Sequence, residues 1–236
     1  MTVLQLAQGG VQLRERSTEG CVAQNGFCPD WIADNYERYV DPFWQHVFLT
    51  LVPLAIGFAI AFALALLAYR RRGLIGPITT TTGILYTLPS VAVFFLLQPI
   101  TGRGELTAVI ALVVYTLLII FRNVLAGLDN VPDDTKDAGR GMGLTDNQLL
   151  WRVELPLALP EILAGLRIAA TTTVGLATLA FFAGAGGLGS EIFADITFKS
   201  NVVVAGGLCV LLAAALDALI LLAQRAITPW TRAART

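Results

Sequence analysis

Long apolar runs constrain the fold of this chain more strongly than any other feature of its sequence. Five runs are found, at about residues 46–69, 76–98, 106–128, 161–182 and 201–226. About 20 apolar residues cross the hydrocarbon core of a bilayer, which is roughly 30 Å thick. Only 14% of the residues are charged, against roughly 25% in water-soluble domains. The sequence therefore predicts an all-α polytopic membrane protein with five transmembrane helices.

The second run carries helix-disrupting residues and is predicted to be irregular. It begins with Gly76-Pro77, continues with four threonines at 79–82, and contains Pro89 in its interior. A proline frees one carbonyl group of a helix, and inside a membrane that carbonyl must be satisfied by neighbouring protein groups. We therefore expect this helix to be broken at Pro89 and packed inside the protein. Pro89 and Ser90 are candidates for a gate or pore.

The distribution of Lys and Arg predicts the orientation. If Arg70–Arg72 lie in the cytoplasm, eleven of the 16 basic residues are inside and five are outside, the direction that the positive-inside rule favours. Residues 1–44 then form an extracytoplasmic extension, residues 45–230 the transmembrane domain, and residues 231–236 a cytoplasmic tail. The inside set is Arg70, Arg71, Arg72, Arg122, Lys136, Arg140, Arg152, Arg167, Arg225, Arg232 and Arg235, and the outside set is Arg14, Arg16, Arg38, Arg103 and Lys199.

Two of the three cysteines lie close together in the N-terminal extension. This extension lacks the pattern of a cleavable signal peptide, a basic stretch followed by an apolar one. If it is outside the cell, a disulfide between Cys21 and Cys28 is expected, since disulfides persist in oxidising compartments. The alternative is a pair of free thiols. Cys209 lies in an apolar run and is expected to be a buried, small apolar residue.

A polar stretch, DAGRGMGLTDNQLLWRVELP from Asp137 to Pro156, separates the third and fourth runs. We expect a short helix that starts near Asp133, a left-handed turn at Gly143, and a second short helix capped by Thr145 or Asp146. Pro156 is expected to end that second helix. The predicted knob exposes one apolar side, formed by Leu149, Leu150 and Val153. Such a side either docks a partner or lies on the membrane as an amphipathic loop.

The spacing in this stretch resembles the EAA loop of permease subunits of bacterial ABC importers. That pattern is Glu-Ala-Ala, three residues, Gly, nine residues, then Ile-x-Leu-Pro. Here Asp replaces Glu, Gly replaces the second Ala, and Val replaces Ile. The Gly replacement loosens the first helix of the loop. The resemblance implies that loop 132–156 is cytoplasmic and couples the membrane helices to an ATPase through Asp137, Ala138, Gly139, Gly143, Leu149, Val153, Leu155 and Pro156.

The resemblance extends over about residues 46–230. TLPSVA (87–92), FRNVLAGLDNV (121–131), VELPLALPEILAGLRIA (153–169) and GAGGLGSEIF (184–193) are similar to the subgroup that imports osmoprotectants such as glycine betaine, carnitine, choline and proline betaine. It implies the type I ABC importer permease fold in a bacterial cell membrane. It also implies two ATPase subunits that hold ATP and Mg, a second permease copy or paralogue, and an extracytoplasmic solute-binding protein. Methionine, or a thiol-histidine betaine, is a rival substrate.

Further gate or pore candidates lie beyond the loop. The glycine-rich segment is predicted to be a hinge or a close-packed gate, because it lacks the Gly-Lys-Ser/Thr ending of a phosphate loop. Asp217 lies inside the fifth run, where an acid is costly and is a functional candidate by default. It either pairs with a residue of another helix or attracts a cationic substrate. These candidates are Gly184, Gly186, Gly187, Gly189 and Asp217.

Several function classes find no support in the sequence. His46 is the only histidine and has no Cys or acid at metal-ligand spacing, so no metal site is predicted. No nucleophile–base arrangement and no P-loop occur, so we expect neither catalysis nor a cofactor in this chain. The net charge of −1 gives no indication of nucleic-acid binding. A secondary carrier would need an internal repeat or paired ion ligands, and an intramembrane enzyme would need a partner for Asp217.

Overall fold

The structure, a computed structural model, describes residues 17–229, and every regular element in that range is helical. The first α-helices are α1 (Ser17–Ala23), α2 (Pro29–Asp34), α3 (Val40–Arg70), α4 (Ile75–Thr87), α5 (Ser90–Thr101) and α6 (Glu105–Asp129). The remaining α-helices of the described range are α7 (Asp133–Gly141), α8 (Asp146–Leu149), α9 (Leu155–Ala177), α10 (Leu188–Ala194) and α11 (Lys199–Ile227). Short 3-10 turns occur at Tyr36–Tyr39, Arg72–Leu74 and Ala180–Ala183, and a wider π turn at Leu150–Glu154. The predicted tail 231–236 and four basic residues of the charge count lie outside the described residues: Arg14, Arg16, Arg232 and Arg235.

Within residues 17–229, three helices are long and apolar enough to cross a membrane: Tyr36–Arg70, which includes α3, and α6 and α11. The pair α4 and α5 passes the same test together, with a bend of 98° between them, so the count rises to four if the pair is one span. The fourth apolar run forms α9, which is not among these candidates. The all-α prediction is confirmed for the described residues, and a total of five spans stays a prediction.

Helix α6 lies at the centre of the bundle and packs against α3, α9, α4 and α5. Small residues let the helices approach closely, as is common between membrane helices. A Cβ atom added to Gly57 of α3 would lie 1.8 Å from the Thr116 hydroxyl oxygen of α6. About two turns further along α6, a Cβ added to Gly165 of α9 would lie 2.3 Å from the Cβ of Asn123. These contacts fix α3 and α9 on α6.

The second apolar run is broken at Pro89, as predicted. α4 ends at Thr87, the chain is extended at Leu88, and α5 begins at Ser90. The Tyr115 hydroxyl of α6 donates a hydrogen bond of 2.7 Å to the Leu88 carbonyl oxygen. This bond satisfies a carbonyl at the break, which backbone at membrane depth requires.

The predicted boundaries of the fourth helix are wrong. It was placed at about 161–182, but α9 starts at Leu155 and ends at Ala177. Pro156 was expected to end the preceding short helix, but it lies in the first turn of α9. A proline is tolerated in a first turn because its missing N–H group has no obligatory partner there. The π turn Leu150–Glu154 carries the chain from α8 into α9 without an interruption.

Candidate functional site

The 132–156 loop forms two short helices joined by a tight turn. α7 begins at Asp133, as predicted, and Gly143 has the left-handed conformation that was expected, with φ of +82°. Thr145 caps α8: the Gln148 N–H donates to the Thr145 hydroxyl at 3.4 Å, and the Thr145 N–H donates to the Gln148 side chain at 2.9 Å. This reciprocal capping box fixes the start of α8 directly after the turn.

The apolar residues of the loop do not point where the sequence suggested. Leu149 and Leu150 are buried inside the chain, and Val153 is half-buried. The reason is the close packing of α7 on α8, because a Cβ atom added to Gly139 would lie 2.5 Å from Leu149 Cδ1. The exposed apolar side chains are instead Met142 (76% exposed) and Trp151 (58%). A partner of the loop would therefore meet these two residues first.

The remaining predicted coupling residues divide between the surface and the base of the loop. Asp137 and Ala138 are exposed on α7, and the Asp137 carboxylate forms an ion pair of 3.2 Å with Arg140. Leu155 is buried and Pro156 is half-buried where α9 begins. The exposed face of α7 can contact a partner, whereas the base of the loop is part of the bundle.

The 132–156 loop is attached to the end of α3, and the chain just after α3 is attached to the end of α6. Arg70 at the end of α3 donates to the Asn147 side chain, and Arg72 forms an ion pair of 2.6 Å with Asp129 of α6. The Glu154 side chain is buried where the loop passes into α9. A cavity of about 800 Å³ lies between the loop and the end of α3. We call this part of the bundle the loop end.

The glycine-rich segment lies at the opposite end of α3 and α6 and is closely packed. The Gly187 N–H donates to the Gln45 side-chain oxygen at 2.9 Å, and the amide of Gln45 donates to Glu105 at 3.0 Å. A Cβ atom added to Gly186 would lie 2.3 Å from that Gln45 oxygen, and one added to Gly189 would lie 1.9 Å from the Thr178 carbonyl oxygen. Of the two expectations for this segment, the contacts favour close packing over a hinge.

Positive φ angles explain why part of this segment is glycine. They occur at Gly184, Gly186 and Gly187, each near +80°. Side chains rarely adopt this conformation, so the turn between α9 and α10 depends on these glycines. The turn also receives a backbone bond, since the Gly104 N–H donates to the Ala183 carbonyl at 2.7 Å. We call this part of the bundle the glycine end.

The N-terminal segment is fastened to the glycine end. Cys21 and Cys28 form a disulfide, and the Cys28 N–H donates to the Ser200 hydroxyl at 2.7 Å. The Tyr39 hydroxyl donates to the Asn201 side-chain oxygen at 2.8 Å, and both groups are buried. Sequence reasoning missed Ser200 and Asn201 because they lie more than 160 positions from their partners; polar residues at the start of an apolar run were the only signal.

The intramembrane acid has a partner. Both carboxylate oxygens of Asp217 on α11 accept hydrogen bonds of 2.7 Å from the Arg167 guanidinium on α9. This two-point geometry is typical of strong Arg–carboxylate pairs. The pair joins α9 to α11, and a role for Asp217 in the pathway stays a prediction.

The single histidine is a packing residue in this structure. His46 is fully buried, and its Nε2 atom lies 3.1 Å from the Val174 carbonyl oxygen and 3.9 Å from the Cys209 sulfur. Among residues 17–229, no group of three or more His, Cys, Asp or Glu side chains is arranged to hold a metal ion.

Comparison with known families identifies the type of protein. The sequence profile of the family described as "binding-protein-dependent transport system inner membrane component" matches residues 54–233. The chain belongs to this family. Its members are membrane permease components of ABC transporters, which implies ATPase and substrate-binding partners and a membrane. The matched range begins inside α3, so the disulfide segment of this permease lies outside it.

Individual relatives cover most of the permease. It is 37% identical over 164 residues to the carnitine transport permease protein OpuCB of Listeria monocytogenes, which covers 70% of this chain and 75% of that protein. It is 34% identical to the choline transport system permease protein OpuBB of Bacillus subtilis, over 79% and 87% of the two chains. It is 35% identical to the osmoprotectant import permease protein OsmW of Salmonella typhimurium, over 84% and 96%.

The fold of the permease is similar to that of a solved transporter. A chain of the MetNI methionine ABC transporter, crystallised in an inward-facing conformation, matches with a TM-score of 0.69 and 25% identity. The match covers 80% of this chain and 96% of that one. The permease therefore has the type I ABC permease fold.

Proposed function

We propose that this chain is the permease subunit of a bacterial ABC importer for a quaternary ammonium osmoprotectant. Glycine betaine, carnitine, choline and proline betaine are the candidate substrates. The observation that carries the proposal is identity of 34–37% to permeases for carnitine, choline and osmoprotectants over most of their lengths. This permease holds the translocation pathway, and ATP and Mg bind to the separate ATPase subunits.

The proposed topology has five spans, with the N-terminus outside and the loop end in the cytoplasm. The structure supports it through the grouping of charges, since Arg70, Arg72, Lys136 and Arg140 line the cavity at the loop end. The glycine end then faces the solute-binding protein. Two ATPase subunits and a second permease, either a copy or a paralogue, complete the importer.

In the proposed mechanism the ATPase moves the 132–156 loop, and the loop moves the helices. Met142 and Trp151, with Asp137 and Ala138 on the same exposed loop, contact the ATPase. Because the chain runs from α8 through the π turn into α9, a displacement of α8 is passed directly to α9. The pair between Arg167 and Asp217 passes it on to α11. Closure of the ATPase pair opens the pathway to the outside, and hydrolysis resets it.

A methionine importer is the second candidate, and the fold match to the methionine transporter favours it. The curated relatives outweigh this match because their sequence identity is higher, at 30–37% against 25%. A histidine betaine is a further rival within the importer class. A stand-alone secondary carrier is disfavoured by membership of a family that works with binding proteins.

Uptake by the assembled importer tests the proposal. The permease is co-expressed with its ATPase and binding protein, reconstituted in vesicles, and supplied with labelled choline, glycine betaine, carnitine or methionine. We expect ATP-dependent uptake of at least one quaternary ammonium compound and none of methionine. Uptake of methionine alone would favour the second candidate, and uptake that is independent of ATP would reject the importer mechanism.

A further inference from the structure

Four phenylalanines from three separate elements form a continuous aromatic cluster near the glycine end. The Phe181 and Phe193 rings stack with centroids 4.0 Å apart, and the Phe181 and Phe182 centroids are also 4.0 Å apart. Phe182 reaches Phe95 at 6.0 Å and Phe193 at 5.9 Å. We call these four residues the phenylalanine cluster. It joins α5, the Ala180–Ala183 turn and α10.

The elements that carry the phenylalanine cluster are interrupted pieces of helix. α5 follows the break at Pro89, the 3-10 turn follows the end of α9, and α10 follows the left-handed turn. Non-helical backbone at membrane depth is tolerated only inside the protein or along a water-filled cavity, and broken helices commonly line transport sites. The cluster is therefore better placed beside a transport pathway than against lipid.

Two side chains of the cluster are exposed. Phe95 is 52% exposed and Phe193 is 41% exposed, whereas Phe181 and Phe182 are half-buried. The backbone beneath the inner pair is fixed, since the Gln98 amide donates to the Phe182 carbonyl at 2.8 Å. The inner rings thus pack against the outer ones, whose side chains keep part of their surface exposed.

A carboxylate lies close to Phe193 in the sequence. Asp195 lies two positions after Phe193, at the end of α10. Its carboxylate accepts from the Thr197 hydroxyl at 3.0 Å and from the Phe198 N–H at 3.2 Å. Both donors are neutral, and the ion pairs formed within residues 17–229 do not include Asp195.

We propose that the phenylalanine cluster is a weak contact site in the permease for the quaternary ammonium group of the substrate. This site rests on the proposed function, which supplies a quaternary ammonium substrate. Cations with N-methyl groups are recognised by the faces of aromatic rings. Only two of the four side chains are exposed, so the site holds the substrate weakly as it leaves the binding protein. Weak binding suits a pathway, because a tightly held substrate would not be released. The cluster then contributes to substrate choice in addition to the binding protein.

Turnover of the reconstituted importer with saturating, choline-loaded binding protein tests the site. Phe193→Leu keeps an apolar side chain and removes the ring face, so uptake should fall by about three- to tenfold. Phe193→Tyr keeps the face and should stay within about twofold of the unmodified protein. Leu96→Val, at an exposed position beside Phe95, is the matched control and should leave uptake unchanged. Normal uptake by Phe193→Leu, or equal losses for Leu and Tyr, would overturn the proposal.

Direct binding to the permease–ATPase complex without binding protein separates this site from the proposed function. The probes are tetramethylammonium and tert-butanol, a neutral molecule with a similar methyl surface. We expect NMR saturation transfer from aromatic protons to tetramethylammonium, with loss of the signal in a Phe95→Leu/Phe193→Leu variant. Equal transfer to tert-butanol would overturn the site. Tetramethylammonium binding in a complex that takes up no quaternary ammonium compound would reject the proposed function and leave the site supported.

Discussion

The two ends of the bundle are built differently. At the glycine end, a disulfide, the Gln45 side chain and buried hydrogen bonds to Ser200 and Asn201 fasten the irregular segments to one another. At the loop end, the 132–156 loop is attached at its base, and its tip projects with Met142 and Trp151 exposed. The irregular segments of the first end are bonded to one another, whereas the tip of the loop carries Met142 and Trp151 exposed within the described residues 17–229.

This difference indicates which end of the bundle a partner protein would move. Large exposed apolar residues away from lipid usually mark an interaction surface. The loop end is therefore suited to receive a moving ATPase and to pass the motion into α9. The glycine end is suited to hold a fixed shape for a docked binding protein. The following variants test that contrast, beginning with the largest expected effect.

The largest effect is expected at the tip of the loop. Gly143→Val should reduce uptake by about tenfold or more, because a branched side chain at positive φ costs about 1–2 kcal/mol and shifts α8 relative to α7. ATP hydrolysis should continue in the assembled complex. Uptake and ATPase activity are measured on the same vesicles.

Gly141→Val is the matched control for Gly143→Val. Both positions have free space around an added Cβ atom, but Gly141 does not have a positive φ. This variant should retain uptake. If the two variants behave alike, the left-handed turn has no special part in coupling.

A smaller and more local effect is expected at the glycine end. Replacing both Cys21 and Cys28 by Ser should lower the local stability of the N-terminal segment by about 2–3 kcal/mol, since the loop closed by the disulfide is short. Hydrogen exchange in residues 21–39 should then accelerate by about 30- to 150-fold. Exchange in residues 132–156 serves as the internal control, and acceleration at both ends would contradict their independence.

Removing one residue of the Arg167–Asp217 pair should lower thermal stability more than removing both residues. Asp217→Ala leaves the Arg167 guanidinium without its acceptor and should lower the thermal stability of the purified permease. Adding Arg167→Leu removes the stranded charge and should restore part of that stability. Thermal unfolding of both variants checks this, and an additive loss in the double variant would mean that the residues act separately.

The smallest effect is expected inside the loop. Gly139→Ala introduces a Cβ atom that would lie 2.5 Å from Leu149 Cδ1, so Leu149 must shift and uptake should fall by less than about threefold. Adding Leu149→Val makes room and should recover uptake. No recovery would mean that the contact between α7 and α8 does not explain Gly139.

Features fixed by neighbouring residues could be predicted from the sequence. Gly143, Thr145 and Pro89 each act on their own turn or break, and the structure has the left-handed turn, the cap and the bend where they were expected. The error at Pro156 is also local, since a proline ends a helix in one context and starts one in another.

Features that depend on distant residues could not be predicted. Pairing of Asp217 with another helix was one of two expectations, but its partner Arg167, 50 positions away, could not be named. Phe95 and Phe193 belong to one cluster although they come from different helices. The burial of Leu149 depends on how closely α7 approaches α8 at Gly139. In a single sequence, nothing fixes these distances until the helices are packed.

Cross-linking from the two ends tests the coupling account most directly. A cysteine introduced at Met142, at the tip of the loop, should form a cross-link to the ATPase subunit with a short bismaleimide. Leu106→Cys, exposed at the start of α6 near the glycine end, should not. A cross-link to the ATPase from Met142→Cys alone is the predicted result. A cross-link from Leu106→Cys, or none from either position in an active importer, would contradict the account.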